Sequence, residues 1–228
     1  MTELSYNIVR RPRRRTASIV IHPDNRIDVL APVGISEARI AAWVSSKQLW
    51  IERKMLFNTH TRSQHQAKRY QQDEAFTLLG RDYALNLQPS TRRQVKLCGD
   101  SLICYTPAPD QRLAIQKQIT GWYKQYAAAH LQQRVEHYAA RTDTSPALVG
   151  IKNYRNRWGS CHIDGRIYFN WRIIIAPAHV SDYVVVHELC HLHQHNHSPA
   201  YWQKVASIMP DYREAQQWLK INGLSLDL

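Results

Sequence analysis

The segment YVVVHELCH, residues 183–191, constrains the fold more than any other. An apolar run leads directly into two histidines four positions apart, with a glutamate behind the first. The run suits a helix, and Ser181-Asp182 ahead of it give that helix acidic N-terminal character. As a helix, it sets His187 and His191 one turn apart with both imidazoles on one face. Two neutral imidazoles so placed can chelate zinc at about 2.0–2.1 Å per bond. Glu188 lies about 100° round the helix. That angle suits a carboxylate facing a metal-held water better than a direct ligand, and so marks Glu188 as the catalytic base.

A third ligand has to come from His193, His195 or His197. Three ligands along one straight helix splay too far apart for a tetrahedral centre, so the third is expected from a following turn. Asn196 is suited to end a helix in the left-handed conformation. Ser198-Pro199 is suited to start the next one, with Pro199 in its first turn. His197 sits between them and is the expected ligand, with His195 as the alternative.

Upstream runs RWGSCHIDGRIYFNWRIII, in which Asp164-Gly165 signals a two-residue hairpin turn. Ile167, Phe169, Trp171 and Ile173 alternate with polar or aromatic positions, the period of a half-buried strand. Such a strand either supports the helix as ordinary core or offers its edge to an extended polypeptide. Arg157 is a candidate substrate contact or a lock for the hairpin.

The remaining chain orders itself around these segments. Residues 4–31 are β-rich, with a turn at Asp24-Asn25. Ser36 caps a helix through about residue 57 whose apolar face is Ile40, Trp43, Val44, Trp50 and Ile51. Residues 58–73 are polar and read as a loop or frayed helix end. Four short strands follow: AFTLLG, YALNLQ, RQVKLCG and SLICYTP. The texture changes at Pro107 and Pro109. Asp110 is placed to cap a long helix through about residue 141, with a stripe at Ile115, Ile119, Trp122 and Tyr126. The expected fold class is α+β, with a β-rich part at 1–108 and a metallohydrolase domain at 109–228.

Composition narrows the setting. No apolar stretch approaches the roughly 20 residues of a membrane helix, and the start of the chain lacks an apolar signal segment. Four cysteines without a CxxC pair suit a reducing cytoplasm. The formal net charge of +12 favours weak binding of polyanions. The run Arg10, Arg11, Arg13, Arg14, Arg15 is either the solvated start of a strand or a phosphate site.

IKNYRNRWGSC, followed by IYFNWRIIIAPAHVSDYVVVHELCHLHQHNHSPAYW, resembles the YgjP-like metallopeptidase family, related to the SprT-like and WLM zincins. The likeness extends to VRRPRRRTASIVI, LLGRDYALNL and ITGWYKQYAAAHL, and so covers most of the chain. It implies a zincin-like α+β domain, with the HExxH helix packed on a small sheet. It also implies His187, His191 and His197 as metal ligands. Tyr201 stands where the family usually has phenylalanine, so its hydroxyl is a candidate substrate or oxyanion contact, or the ring packs as phenylalanine would.

These readings imply a zinc-dependent peptidase in which Glu188 activates water. The alternative is a UTP pyrophosphatase on the same metal site, favoured by the basic charge but lacking a glycine-rich phosphate loop. A non-enzymatic nucleic-acid module with structural zinc would close its site with a fourth Cys or His and have no use for Glu188.

Overall fold

The computed structural model describes residues 4–22, 24–64 and 67–228. The chain is mixed α+β and divides into two compact units, Met1–Gln66 and Ala67–Leu228. The change of texture at 108/109 lies within the second unit.

In the first unit, β1 (Asn7–Arg11), β2 (Ser18–Ile21) and β3 (Ile27–Pro32) form a sheet in the order β1-β3-β2. Ile27, Val29 and Ala31 of β3 are buried and alternate with half-exposed neighbours, the period of a strand with one face in a core. β2 and β3 pair antiparallel around the expected turn, where Asn25 takes a φ of 67°. Ser36 caps the next helix by accepting from the Arg39 amide.

The single helix expected there is two, α1 (Glu37–Ser46) and α2 (Gln48–Gln64), broken at Lys47. The break re-phases the apolar face: Ile40, Val44 and Ile51 are buried, but Trp50 is half exposed. α2 also continues through part of the expected loop. Two asparagines tie it down, Asn58 donating to the His22 carbonyl at 2.9 Å and Asn25 to the Met55 carbonyl at 3.2 Å. Residues 65–66 of that loop lie outside the described residues. Within the basic run, Arg10 donates to the carbonyls of Pro32, Val33 and Ile35, and Arg14 to that of Thr16, while Arg11, Arg13 and Arg15 are exposed.

In the second unit, β4 (Ala75–Leu78), β5 (Arg81–Pro89), β6 (Gln94–Cys98) and β7 (Ser101–Thr106) fall at the four expected positions and form a sheet in the order β4-β5-β7-β6. The 31-residue helix α3 (Arg112–Thr142) follows, about 46 Å long at 1.5 Å per residue. Its N-cap is Gln111 without a side-chain bond, so Asp110 does not cap it. The buried stripe runs Ile115, Ile119, Tyr123, Ala127, Leu131, Val135 and Tyr138, leaving Trp122 and Tyr126 half buried at its edge. Tyr123 wins the inner position because its hydroxyl reaches the Thr77 carbonyl at 2.9 Å.

A second sheet has the order β8-β10-β9, with β8 (Leu148–Lys152), β9 (Gly159–Cys161) and β10 (Arg166–Asn170). The β9–β10 connection, residues 162–165, has four residues, not two. His162 N–H donates to the Arg166 carbonyl, and Gly165 takes a φ of 80° that closes the turn. The strand alternation stops at Asn170, earlier than the sequence pattern suggests. Trp171–Ile175 is a 3-10 turn in which Trp171, Ile173, Ile174 and Ile175 are all buried, and Asn170 caps it by accepting from the Arg172 amide. With four of its five residues buried, the segment has too little solvent face to set a period.

The remaining helices are α4 (Ala178–Cys190), α5 (Pro199–Ile208) and α6 (Tyr212–Asn222). No helix among the described residues is long and apolar enough to cross a membrane.

Candidate metal centre

α4 is the YVVVHELCH helix, and it is buried almost all round: Val180, Tyr183, Val184, Val185, Val186, Leu189 and Cys190 all lie in the core. It begins at Ala178, one turn before the expected start. Asp182 therefore sits inside the helix, where it accepts a two-pronged bond from Arg134 of α3 at 2.6 and 2.8 Å and a third from the Tyr138 hydroxyl. That fork fixes both partners in one geometry and sets the rotation of α4 against α3.

α4 ends at Cys190 with His191 as its cap, earlier than a stop at Asn196 would place it, and Asn196 has no left-handed φ. Asn196 instead accepts from the Ser198 amide and the Gln194 side chain. Ser198 caps α5 through the Tyr201 amide, with Pro199 in the first turn. The turn between α4 and α5 carries His197 back over the end of α4.

The result is a cluster of His187, His191 and His197 whose ligating atoms all lie within 4.8 Å of one another. The Nε2 of His187 is 3.3 Å from that of His191 and 3.2 Å from that of His197. Two 2.0–2.1 Å bonds meeting at a tetrahedral angle span about 3.3 Å, so three convergent imidazoles fit one zinc-sized cation. His191 Nδ1 donates to the Gln194 carbonyl at 3.0 Å, which leaves its Nε2 lone pair facing the cluster. Burial, with the nearby His191 and His197, pushes His187 down to about 3, and His191 is lowered mainly by burial. Neutral rings are the form a metal needs.

Aromatic rings hold these imidazoles in place. Tyr201 stacks on His191 with centroids 4.6 Å apart, and Trp202 stacks on His197 at 5.5 Å. The Tyr201 hydroxyl donates to the His187 carbonyl at 2.9 Å. Tyr201 is only 1% exposed and lines neither cavity at the site. His193 turns away and bonds the Thr142 carbonyl at the end of α3, while His195 is exposed on the wall of the cleft.

Glu188 is 5% exposed, and burial pushes its carboxyl up to about 8 against the opposing pull of the Arg157 charge and the Cys161 backbone amide. A main cavity of about 460 Å³ opens on the three histidines and Glu188, walled by β9 and by Ile163 of the hairpin loop. A smaller one of about 220 Å³ adjoins it through the shared residues Arg157, Gly159, His187 and Glu188, and is walled by Trp158, Tyr183 and Leu219. Trp202 and Gly159 are absent from the sequence-based site. Both appear only as letters of the stretches that carry the family resemblance, Trp202 in NHSPAYW and Gly159 in RWGSC.

A helix carrying HExxH, a third histidine returned by a turn and a carboxylate buried beside them define the layout of a metal-dependent hydrolase. The model of the YgjP-like metallopeptidase domain matches residues 15–222, and the chain belongs to that family. Among solved structures, the metallopeptidase zymogen of Pyrococcus abyssi abylysin is similar at 18% identity and a TM-score of 0.37, covering 40% of this chain and 92% of that one. No curated protein sequence matches the chain.

Proposed function

We propose that the chain is a zinc-dependent peptidase of the cytoplasm, with His187, His191 and His197 holding the metal and Glu188 as the base. The observation that carries this reading is three histidines with ligating atoms within 4.8 Å of one another, the Nε2 of His187 lying 3.3 and 3.2 Å from those of His191 and His197, beside a buried carboxylate. A zinc ion held by these three histidines would supply Lewis acidity for a carbonyl and would acidify a water. Glu188 accepts a proton from the attacking water on its carboxylate and returns it to the departing nitrogen. β9, the free edge of its sheet, lies along the cleft and offers backbone groups to an extended polypeptide, as strand addition requires. Arg157, placed where the two cavities meet, donates to a substrate carbonyl or carboxylate. The four free cysteines suit a reducing compartment.

Pyrophosphatase action on UTP is the second reading, and Arg157 at the cleft is what favours it. A triphosphate needs several cationic partners, and Arg157 is the one lysine or arginine lining the cavities among the described residues. The peptide reading is therefore preferred. The deciding experiment assays zinc-loaded protein on unfolded polypeptides and on UTP, with Glu188→Gln as control. Polypeptide cleavage lost at least about 100-fold in Glu188→Gln supports the reading; turnover of UTP alone, abolished by the same change, overturns it.

A further inference from the structure

We infer that Gly159 is a positioning residue for Glu188: the missing side chain on β9 is the space the carboxylate occupies. This rests on the reading of Glu188 as the base and adds how the fold holds it in place. A Cβ built on Gly159 would come within 2.6 Å of Glu188 Cγ and 2.7 Å of its Cδ, and still nearer to Oε1. No carbon tolerates such approaches, so the glycine and the glutamate fill one another's volume.

Backbone conformation does not require glycine here. Gly80, Gly99 and Gly165 take positive φ, whereas Gly159 does not and pairs regularly with Phe169 of β10. The requirement is one of space alone. Nor can β9 back away from α4. Asn170, 3% exposed, donates through its amide side chain to the carbonyls of Tyr154 and Arg157 and through its backbone to that of Trp158. The Tyr154 hydroxyl adds a bond to Ser160 at 2.7 Å. The segment leading into β9 is thus pinned on both sides of Gly159. The carboxylate is the mobile partner, at the end of a side chain with three rotatable bonds.

A methyl group at position 159 therefore displaces Glu188 and leaves the strand and the histidines where they are. The backbone amide of Cys161, which faces the same carboxylate, loses its partner in that displacement. β9 consequently serves two purposes: its outer edge meets the substrate and its backbone sets the base.

The test is Gly159→Ala in the full zinc-loaded chain, alone and combined with Glu188→Ala. The expected result is unchanged zinc content, KM within about twofold and kcat lowered at least about tenfold, part of what a general base contributes. A purely structural glycine would lower zinc content and kcat and raise KM together. In thermal unfolding, Gly159→Ala should cost stability when Glu188 is present and cost none in the Glu188→Ala background. An additive pair, or Gly159→Ala with full kcat, overturns the inference. The unfolding cycle needs no substrate, so a chain that cleaves no polypeptide sinks the proposed function while the cycle still decides the contact.

Discussion

The Nε2 atoms of His187 and His197 lie 3.2 Å apart across ten residues of chain. A shared proton or a shared cation makes that approach favourable, and the proposed function takes the cation, with His191 as the third ligand. His197→Ala should therefore weaken zinc binding by more than about 100-fold, beyond the loss usual for outer partners of a metal site. Competition with a chromophoric chelator measures it. His195→Ala, on the cleft wall, should leave affinity unchanged, and a loss there equal to that of His197→Ala would reassign the third ligand.

The Tyr201 hydroxyl supplies a partner that the end of α4 lacks. His191 N–H bonds the Leu189 carbonyl, so the His187 carbonyl takes its bond from Tyr201 instead. Tyr201→Phe leaves that buried acceptor empty and should cost about 1–3 kcal/mol. Urea unfolding of the two proteins gives the difference, and a cost near zero would show that the carbonyl finds another donor.

Gly80, in the β4–β5 turn, has a φ of 78°, and a Cβ there would sit 2.9 Å from the Cα of Pro177, the residue before α4. The neighbouring Leu79 amide donates to the Ile174 carbonyl at 2.6 Å, so the turn is clamped to the same segment. Gly80→Ala meets both the left-handed penalty of about 1–2 kcal/mol and the clash. It should destabilise by about 2 kcal/mol or more in chemical denaturation. A neutral effect would mean that the turn yields freely.

Asp28 accepts from His22 at 2.8 Å and from Asn7 and Arg26, and the His22 bond chiefly holds its carboxyl below the ordinary value of 3.8. A carboxylate depressed in the folded state adds stability above its unfolded pKa, and that stability is lost as pH falls through the folded value. Thermal unfolding of wild type should thus fall toward that of Asp28→Asn as pH drops below 3.8. Curves that stay parallel to the lowest pH would exclude the linkage.

Much of the fold was legible because it rests on local chemistry. Turn residues at Asp24-Asn25 and Asp164-Gly165 marked the hairpins, and four short apolar runs marked β4 to β7. Ser198-Pro199 marked the start of α5. Periodicity misled where burial was complete. Trp171 and Ile173 continue an alternating pattern yet lie in a 3-10 turn enclosed by core, and Trp122 keeps helical spacing yet yields the inner position to Tyr123. The break at Lys47 had no strong breaker residue to announce it.

The same division runs through the site. Spacing alone puts His187 and His191 on one helical turn and Glu188 beside them, because a helix repeats every 3.6 residues. It also makes a turn at His197 the economical source of a third nitrogen. Only the tertiary structure decides what lies against those groups. Arg134 meets Asp182 across 48 residues, Tyr201 reaches back to His187 across 14, and Gly159 leaves the hollow that Glu188 fills. Contacts between residues far apart in sequence leave no period or spacing to read, since they depend on which surfaces meet when the core closes.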